Sequence, residues 1–154
     1  MSYLAVKWLH ILSSTVLFGT GIGSAYYMLL VSLTREPRAT ALVVRRVVWA
    51  DWLFTTPTVF IQPLSGIYLA HLVGLPLATP WLRWSLAFYA LAIACWLPVV
   101  RLQIVMQRLA QEAADSGTPL PASYFRRLRA WVALGAVAFV AFVAIFALMV
   151  FKPA

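Results

Sequence analysis

The chain has 154 residues, enough for one domain, and 64% of them are hydrophobic, against about 45–50% in soluble domains. Only 10% are charged, too few to cover the surface of a soluble fold of this size, whereas a lipid bilayer solvates apolar side chains directly. The net charge of +8 does not indicate a nucleic-acid partner, because the basic residues fall in the gaps between apolar runs, as they do in membrane proteins.

Four apolar segments reach the length of about 20 residues that a transmembrane helix needs. They cover residues 3–33, 47–73, 81–106 and 130–151. The first segment is too long for the apolar part of a signal peptide, so we expect it to be retained. The sequence therefore predicts an all-α fold: a bundle of four transmembrane helices that forms a single domain over residues 1–154 and has the lipid bilayer as its partner.

The connections between these segments predict the orientation. Residues 34–46 and 107–129 hold eight of the twelve Lys and Arg residues, whereas the middle connection, LVGLPLATP, carries no charge. Short loops rich in Lys and Arg stay in the cytoplasm. We therefore expect a multi-pass protein of the cell inner membrane, with both basic connections in the cytoplasm and both termini on the outer side.

A first group of polar residues is expected near the outer face. Ionisable residues inside a membrane are costly, so each is a functional hypothesis. His10 lies about 9 Å inside the first span, and His71 lies about 5 Å from the outer end of the second. Two imidazoles at similar depth on facing helices could ligate a haem iron, and Lys7, one turn before His10, could pair with a propionate or an anionic substrate. The alternatives are an interfacial His71 and a His10 that hydrogen-bonds across helices.

A second group lies near the opposite face. Asp51 is about one turn inside the second span, and Arg101 is at the inner end of the third. A buried carboxylate needs a partner, which Arg101 or Arg46 could supply. The pair then either fixes the register of two helices or provides a proton path with Asp51 as the relay.

The second span also contains two prolines, Pro57 and Pro63, on either side of Gln62. Proline removes a backbone donor and kinks a helix, so neighbouring groups must bind the freed carbonyl. The segment is either a kinked packing helix or a bent helix that opens a polar cavity around Gln62.

Nearly the whole chain resembles a bacterial family of small integral membrane proteins that is catalogued as a domain of unknown function. The matching stretches are KWLHILSSTVLFGTGIG, ADWLFTTPTVFIQPLSGIYLA, ACWLPVVRLQI and IFALMVFKP. This resemblance implies a helical membrane fold and no particular activity.

The start KWLHI and the ending VFKP are also similar to the HemJ-type protoporphyrinogen oxidases, which are small helical membrane enzymes that bind haem b. The similarity maps the first-helix histidine of that family onto His10 and its lysine onto Lys7, and the pattern from Pro57 to Gly66 is similar too. The stretch SAYYMLLVSL lacks the arginine and the second histidine that the family carries there. The similarity implies a haem b or porphyrin site at His10 and leaves open whether the protein is an enzyme.

Three functional hypotheses follow. The first is binding of haem b or a porphyrin around His10, with His71 as a possible second ligand. The second is a non-catalytic subunit of a larger membrane complex, for which the small-xxx-small pair Gly19 and Gly23 offers a packing face. The third is a transporter built around the Pro57–Gln62–Pro63 bend, which would need a homo-oligomer because four helices are few. The sequence names no substrate.

Overall fold

The computed structural model describes residues 2–153, and within them every regular element is helical. The all-α prediction is therefore confirmed for the described residues. The elements are α1 (Tyr3–Thr34), α2 (Pro37–Ala50), a π-helical turn (Asp51–Thr55), α3 (Thr56–Leu72), α4 (Pro80–Ser116) and α5 (Ala122–Phe151). Because α2, the π turn and α3 follow one another without a break, the chain forms four helical rods.

Local signals explain where the rods at one end of the bundle begin and end. α1 ends at Arg35, whose φ of 59° is left-handed, and Glu36 then accepts a hydrogen bond from the backbone N–H of Arg38 as the N-cap of α2. Pro37 occupies the first turn of α2, where its missing N–H costs nothing. α4 ends at Gly117, with a φ of 65°, because glycine adopts this conformation without strain.

The basic connections are shorter than predicted. Residues 34–46 were expected to link two spans, but α2 begins at Pro37, and α4 continues ten residues beyond the predicted end of the third span, to Ser116. Hydropathy detects the part of a helix that suits lipid, whereas helical hydrogen bonds continue through polar residues as well. The predicted spans are therefore parts of longer helices.

The rods pack in a ring, with α1 against α2 and α3, α2 against α4, and α4 along α5, whereas α1 and α5 touch at few points. We call the end that contains residues 34–46 and 107–129 the basic end, and the opposite one the turn end. The largest buried cluster lies at the basic end, where Met28, Val44, Met106 and Tyr124 are fully buried. There the hydroxyl groups of Ser32 and Tyr124 are 2.7 Å apart and join α1 to α5.

Three helices, α1, α4 and α5, are long and apolar enough to cross a membrane. The second predicted span, residues 47–73, falls on the end of α2, the π turn and α3, whose 17 residues would extend about 26 Å. That this rod also crosses the membrane stays a prediction, as does the side on which each terminus lies.

The two prolines of the second predicted span have different structural effects. Pro57 cannot donate an N–H, and just before it the helix widens into the π turn, in which the N–H of Thr56 reaches the carbonyl of Asp51. Pro63 frees the carbonyl of Val59, four residues before it, and that oxygen accepts a hydrogen bond from the hydroxyl of Tyr89 on α4. Pro57 is thus associated with a change of helix type, and Pro63 with a hydrogen bond between two helices.

Candidate functional site

A network of polar side chains joins α1 to α3 near the turn end. The ring of His10 lies between two residues of α3: its Nδ1 is 2.9 Å from the hydroxyl of Ser65, and its Nε2 is 3.3 Å from the amide nitrogen of Gln62. The oxygen of the same amide accepts a hydrogen bond from Ser13 on α1. The sequence singled out His10 and Gln62 separately, and in the structure the two residues belong to one cluster.

The hydrogen bonds of this cluster are mutually consistent for a neutral imidazole. Ser65 donates a hydrogen bond to the carbonyl of Ile61, 2.6 Å away, so its oxygen accepts a hydrogen bond from Nδ1–H of His10. Nε2 is then unprotonated and accepts a hydrogen bond from the amide N–H of Gln62. Both ring nitrogens are used within the protein, as expected for a histidine that hydrogen-bonds across helices.

A close approach of backbone and ring completes the cluster. A Cβ added to Gly66 would lie 3.0 Å from Cε1 of His10, so any other residue would require the ring to move by a few tenths of an ångström. The adjoining cavity, which His10 and Gln62 help to line, has a volume of about 60 Å³. In this arrangement the residues do not fit a haem, because the cavity is far smaller than a typical cofactor pocket of roughly 300–1,000 Å³ and both imidazole nitrogens are engaged.

The other residues predicted for the haem site lie outside this cluster. His71 is exposed and does not line the cavity beside His10. Lys7 is exposed as well, and its ammonium group lies 5.8 Å from the centre of the Tyr3 ring. The structure thus brings together His10 and Gln62, but not His10 with His71.

A larger cavity, of about 420 Å³, lies between α1 and α5 and extends from the middle of the bundle towards the basic end. Its lining is mostly apolar, but Asp51, Thr55 and Gln103 contribute polar groups. Asp51 is only 7% exposed and Gln103 only 3%, so both are withdrawn from solvent. Thr55 donates a hydrogen bond of 2.9 Å to the Asp51 carboxylate, and Gln103 lines the same cavity.

Two tryptophans line the same cavity. The indole nitrogens of Trp96 and Trp131 are buried and have no hydrogen-bond partner among the described residues. A buried donor without an acceptor costs roughly 1–3 kcal/mol, so two of them beside one cavity are unusual for a purely structural core.

The partners of Asp51 differ from those considered in the sequence. Arg101 is exposed, and no ion pair involving Asp51 is found in the part of the chain that the structure describes. The carboxylate is instead bound by the uncharged hydroxyl group of Thr55. The register pair of Asp51 with Arg101 or Arg46 and the proton relay through Asp51 both stay predictions.

An aromatic cluster separates the two cavities. Phe18 of α1 stacks on Phe139 of α5 with ring centres 5.8 Å apart and meets Phe146 edge-on at 5.0 Å. Leu17 and Phe142 line both cavities. The few contacts between α1 and α5 in the middle of the bundle are therefore largely aromatic.

Comparison with known proteins identifies the family. Residues 4–153 match the family described as "Predicted integral membrane protein (DUF2269)". The chain belongs to this family. No curated protein and no solved structure matches the chain.

Membership of the DUF2269 family confirms that the chain is an integral membrane protein and that the family resemblance covers nearly all of it. Within residues 2–153, no group of three or more His, Cys, Asp or Glu side chains could hold a metal ion.

Sequence reasoning missed Gln103, Trp96 and Trp131 because it considered ionisable groups within the spans and the polar residue between two prolines, Gln62. A signal existed, since Trp96 and Gln103 are seven residues apart and so share one face of α4.

Proposed function

We propose that this protein binds a lipid-soluble small molecule whose head carries carbonyl or hydroxyl oxygens, in the cavity between α1 and α5. The observation that carries the proposal is the concentration of buried polar groups around an otherwise apolar space. Asp51, Trp96 and Trp131 line one cavity of about 420 Å³, and the indole N–H groups of the two tryptophans have no partner among the described residues. This volume lies in the range of roughly 300–1,000 Å³ that is typical of small-molecule sites.

The polar groups define the chemistry of the ligand. The indole N–H groups of Trp96 and Trp131 can only donate, so they match a carbonyl or ether oxygen. The carboxylate of Asp51 can accept a hydrogen bond from a ligand hydroxyl. The remaining lining is apolar, which suits an aromatic ring or an aliphatic chain. A quinone or quinol head group combines these features.

The position of the cavity supports entry from the bilayer. It lies where α1 and α5 touch at few points, so a ligand dissolved in lipid would pass between two helices without crossing an aqueous phase. The cavity is closed towards the turn end by the cluster around Phe18. A ligand would therefore bind in the half of the bundle nearer the basic end.

Thermal unfolding of the detergent-purified protein tests this proposal. A benzoquinone with a decyl tail should raise the midpoint, since a ligand that binds only the folded state stabilises it, by about 2.7 kcal/mol at a hundred times its Kd. Decylbenzene, which has the same tail and no oxygens, should give a much smaller shift. Trp96→Phe and Trp131→Phe remove the N–H donor together with part of the indole ring, and each should weaken binding of the quinone about tenfold without an equal loss for decylbenzene.

The matched control is Trp84→Phe, because Trp84 is exposed and lines neither cavity. This variant should bind the quinone like the unchanged protein. Equal shifts for the two compounds, no shift at all, or unchanged binding in both cavity variants would each contradict the proposal.

The functions predicted from the sequence stay predictions beside this one. Haem binding at His10 would require Gln62 to leave Nε2, and an absorbance spectrum of the purified protein would reveal it. A subunit role has support from Gly19 and Gly23, since an added Cβ at either would meet nothing within 4 Å. A transporter around Gln62 would need a larger passage than the cavity of about 60 Å³ beside it.

A further inference from the structure

A second groove lies at the basic end of the gap between α1 and α5. It has a volume of about 850 Å³, and both basic and apolar side chains line it. Three arginines, Arg35, Arg126 and Arg129, line it together with aliphatic residues such as Leu29 and Val132. We call it the arginine groove.

The arginine groove is lined by positive charges and by no acidic residue that could neutralise them. None of its lining residues is acidic, and its three arginines are all exposed. Several like charges held close together repel one another, so an anion that binds among them is favoured. Arginine is suited to phosphate because its guanidinium group can donate two parallel hydrogen bonds.

One of these arginines has a fixed place. Arg35 ends α1 in the left-handed conformation, with a φ of 59°, which is uncommon for a residue other than glycine. Its guanidinium carbon lies 5.3 Å from the centre of the Phe125 ring on α5. This cation–π contact spans the mouth of the groove and positions a positive charge between the two helices.

The arginine groove also changes from charged to apolar along its length. Arg129 directly precedes the predicted fourth span, which begins at residue 130, and Val132 and Ala133 continue the lining towards the middle of the bundle. Leu29 and Leu33 line the facing side on α1. A ligand that fits both parts has an anionic head and an aliphatic chain.

A second basic groove provides a comparison within the same protein. Arg38 and Arg45 line it together with Gln111 and the acidic Asp115. It contains a compensating carboxylate and offers little aliphatic surface to an acyl chain. Positive charge alone therefore does not distinguish the arginine groove; the combination with an apolar slot does.

We propose that the arginine groove binds an anionic phospholipid, with the phosphate among Arg35, Arg126 and Arg129 and an acyl chain along Leu29, Leu33 and Val132. Basic pockets between transmembrane helices recognise lipid head groups in this way. This proposal does not depend on the quinone-type ligand proposed above. The arginine groove and the larger cavity are neighbours and share Leu29 and Val132.

Native mass spectrometry of the full chain in detergent tests the proposal. On titration with phosphatidylglycerol, we expect one lipid to be retained at concentrations where phosphatidylcholine and glycerol phosphate, which has no acyl chain, are not. The double substitution Arg126→Gln with Arg129→Gln should weaken phosphatidylglycerol binding roughly 30-fold, since each basic residue near the head group contributes to the attraction.

The control removes the same amount of charge from the other groove, by Arg38→Gln with Arg45→Gln, and should leave phosphatidylglycerol binding unchanged. Thermal unfolding of both double variants checks that they are folded. The proposal fails if the two double variants lose the lipid equally, if phosphatidylcholine or glycerol phosphate binds as tightly, or if the unchanged protein retains no lipid.

Discussion

At the scale of single residues, the ring of His10 is held from two sides by α3. Ser65 and Gln62 bind its two nitrogens, and the backbone of Gly66 lies directly against the ring. An imidazole buried among helices costs free energy unless both nitrogens find partners. The absence of a side chain at Gly66 therefore lets the ring lie against α3 while both nitrogens keep their hydrogen bonds.

Gly66→Ala tests this close approach. The new Cβ would lie 3.0 Å from Cε1 of His10, so the ring or the helix must shift. We expect a loss of about 1–3 kcal/mol in the free energy of unfolding, measured by thermal or chemical denaturation in detergent. Gly19→Ala is the control, because an added Cβ there meets nothing within 4 Å. Equal stability of the two variants would show that the ring is not held tightly.

Some of the polar residues inside the bundle could be identified from the sequence, but the residues that hydrogen-bond to them could not. His10, Gln62 and Asp51 were identified because polar groups are expensive inside a membrane. Hydropathy does not fix the rotation of a helix about its axis, so it could not show that His10 faces Gln62 rather than His71. For the same reason it could not show that Asp51 faces Thr55 and Gln103 instead of Arg101.

At the scale of elements, the rod from Pro37 to Leu72 is shaped by its prolines. The π turn precedes Pro57, and the carbonyl freed by Pro63 is bound by Tyr89 of the neighbouring α4. The sequence predicted that a neighbouring group must bind such a carbonyl, but it did not identify the donor. The donor comes from another helix, which local sequence cannot reveal.

Tyr89→Phe should leave the Val59 carbonyl without its donor. We expect a loss of about 1 kcal/mol in unfolding free energy, a typical value for a side-chain hydrogen bond within membrane proteins. In a Pro63→Ala background the helix supplies its own N–H, so Tyr89→Phe should there cost close to nothing. Denaturation of the four proteins of this double-mutant cycle gives the coupling. Equal costs in both backgrounds would mean that Tyr89 stabilises the protein in another way.

At the scale of the whole molecule, four rods form a ring with one poorly closed side, between α1 and α5. The number of rods and their approximate positions follow from hydropathy, since each predicted span falls on one rod, and only Val73 lies beyond a rod's end. The gap between α1 and α5 does not follow from hydropathy, because it depends on which faces of the helices contact one another. Both proposed binding sites lie along that gap.

The orientation predicted from the basic connections can be tested with single cysteines. In a Cys95→Ala background, Thr118→Cys marks the basic end and Ala78→Cys the turn end, and both positions are exposed. In intact cells, a maleimide that cannot cross membranes should label position 78 and not position 118. Inverted membrane vesicles should give the reverse. Labelling of both positions from the same side would mean that α4, the helix that joins them, does not cross the bilayer.

The buried cluster at the basic end has a consequence for how water contributes to stability. Most of its residues, including Ala41, Val44, Ala113 and Tyr124, lie outside the predicted spans. Lipid tails are as apolar as leucine, so burial within the bilayer gains nothing from the exclusion of water, whereas burial beyond it does. The heat-capacity increase on unfolding should therefore come mainly from this one end. In that respect the protein behaves as a small soluble domain attached to a lipid-solvated one.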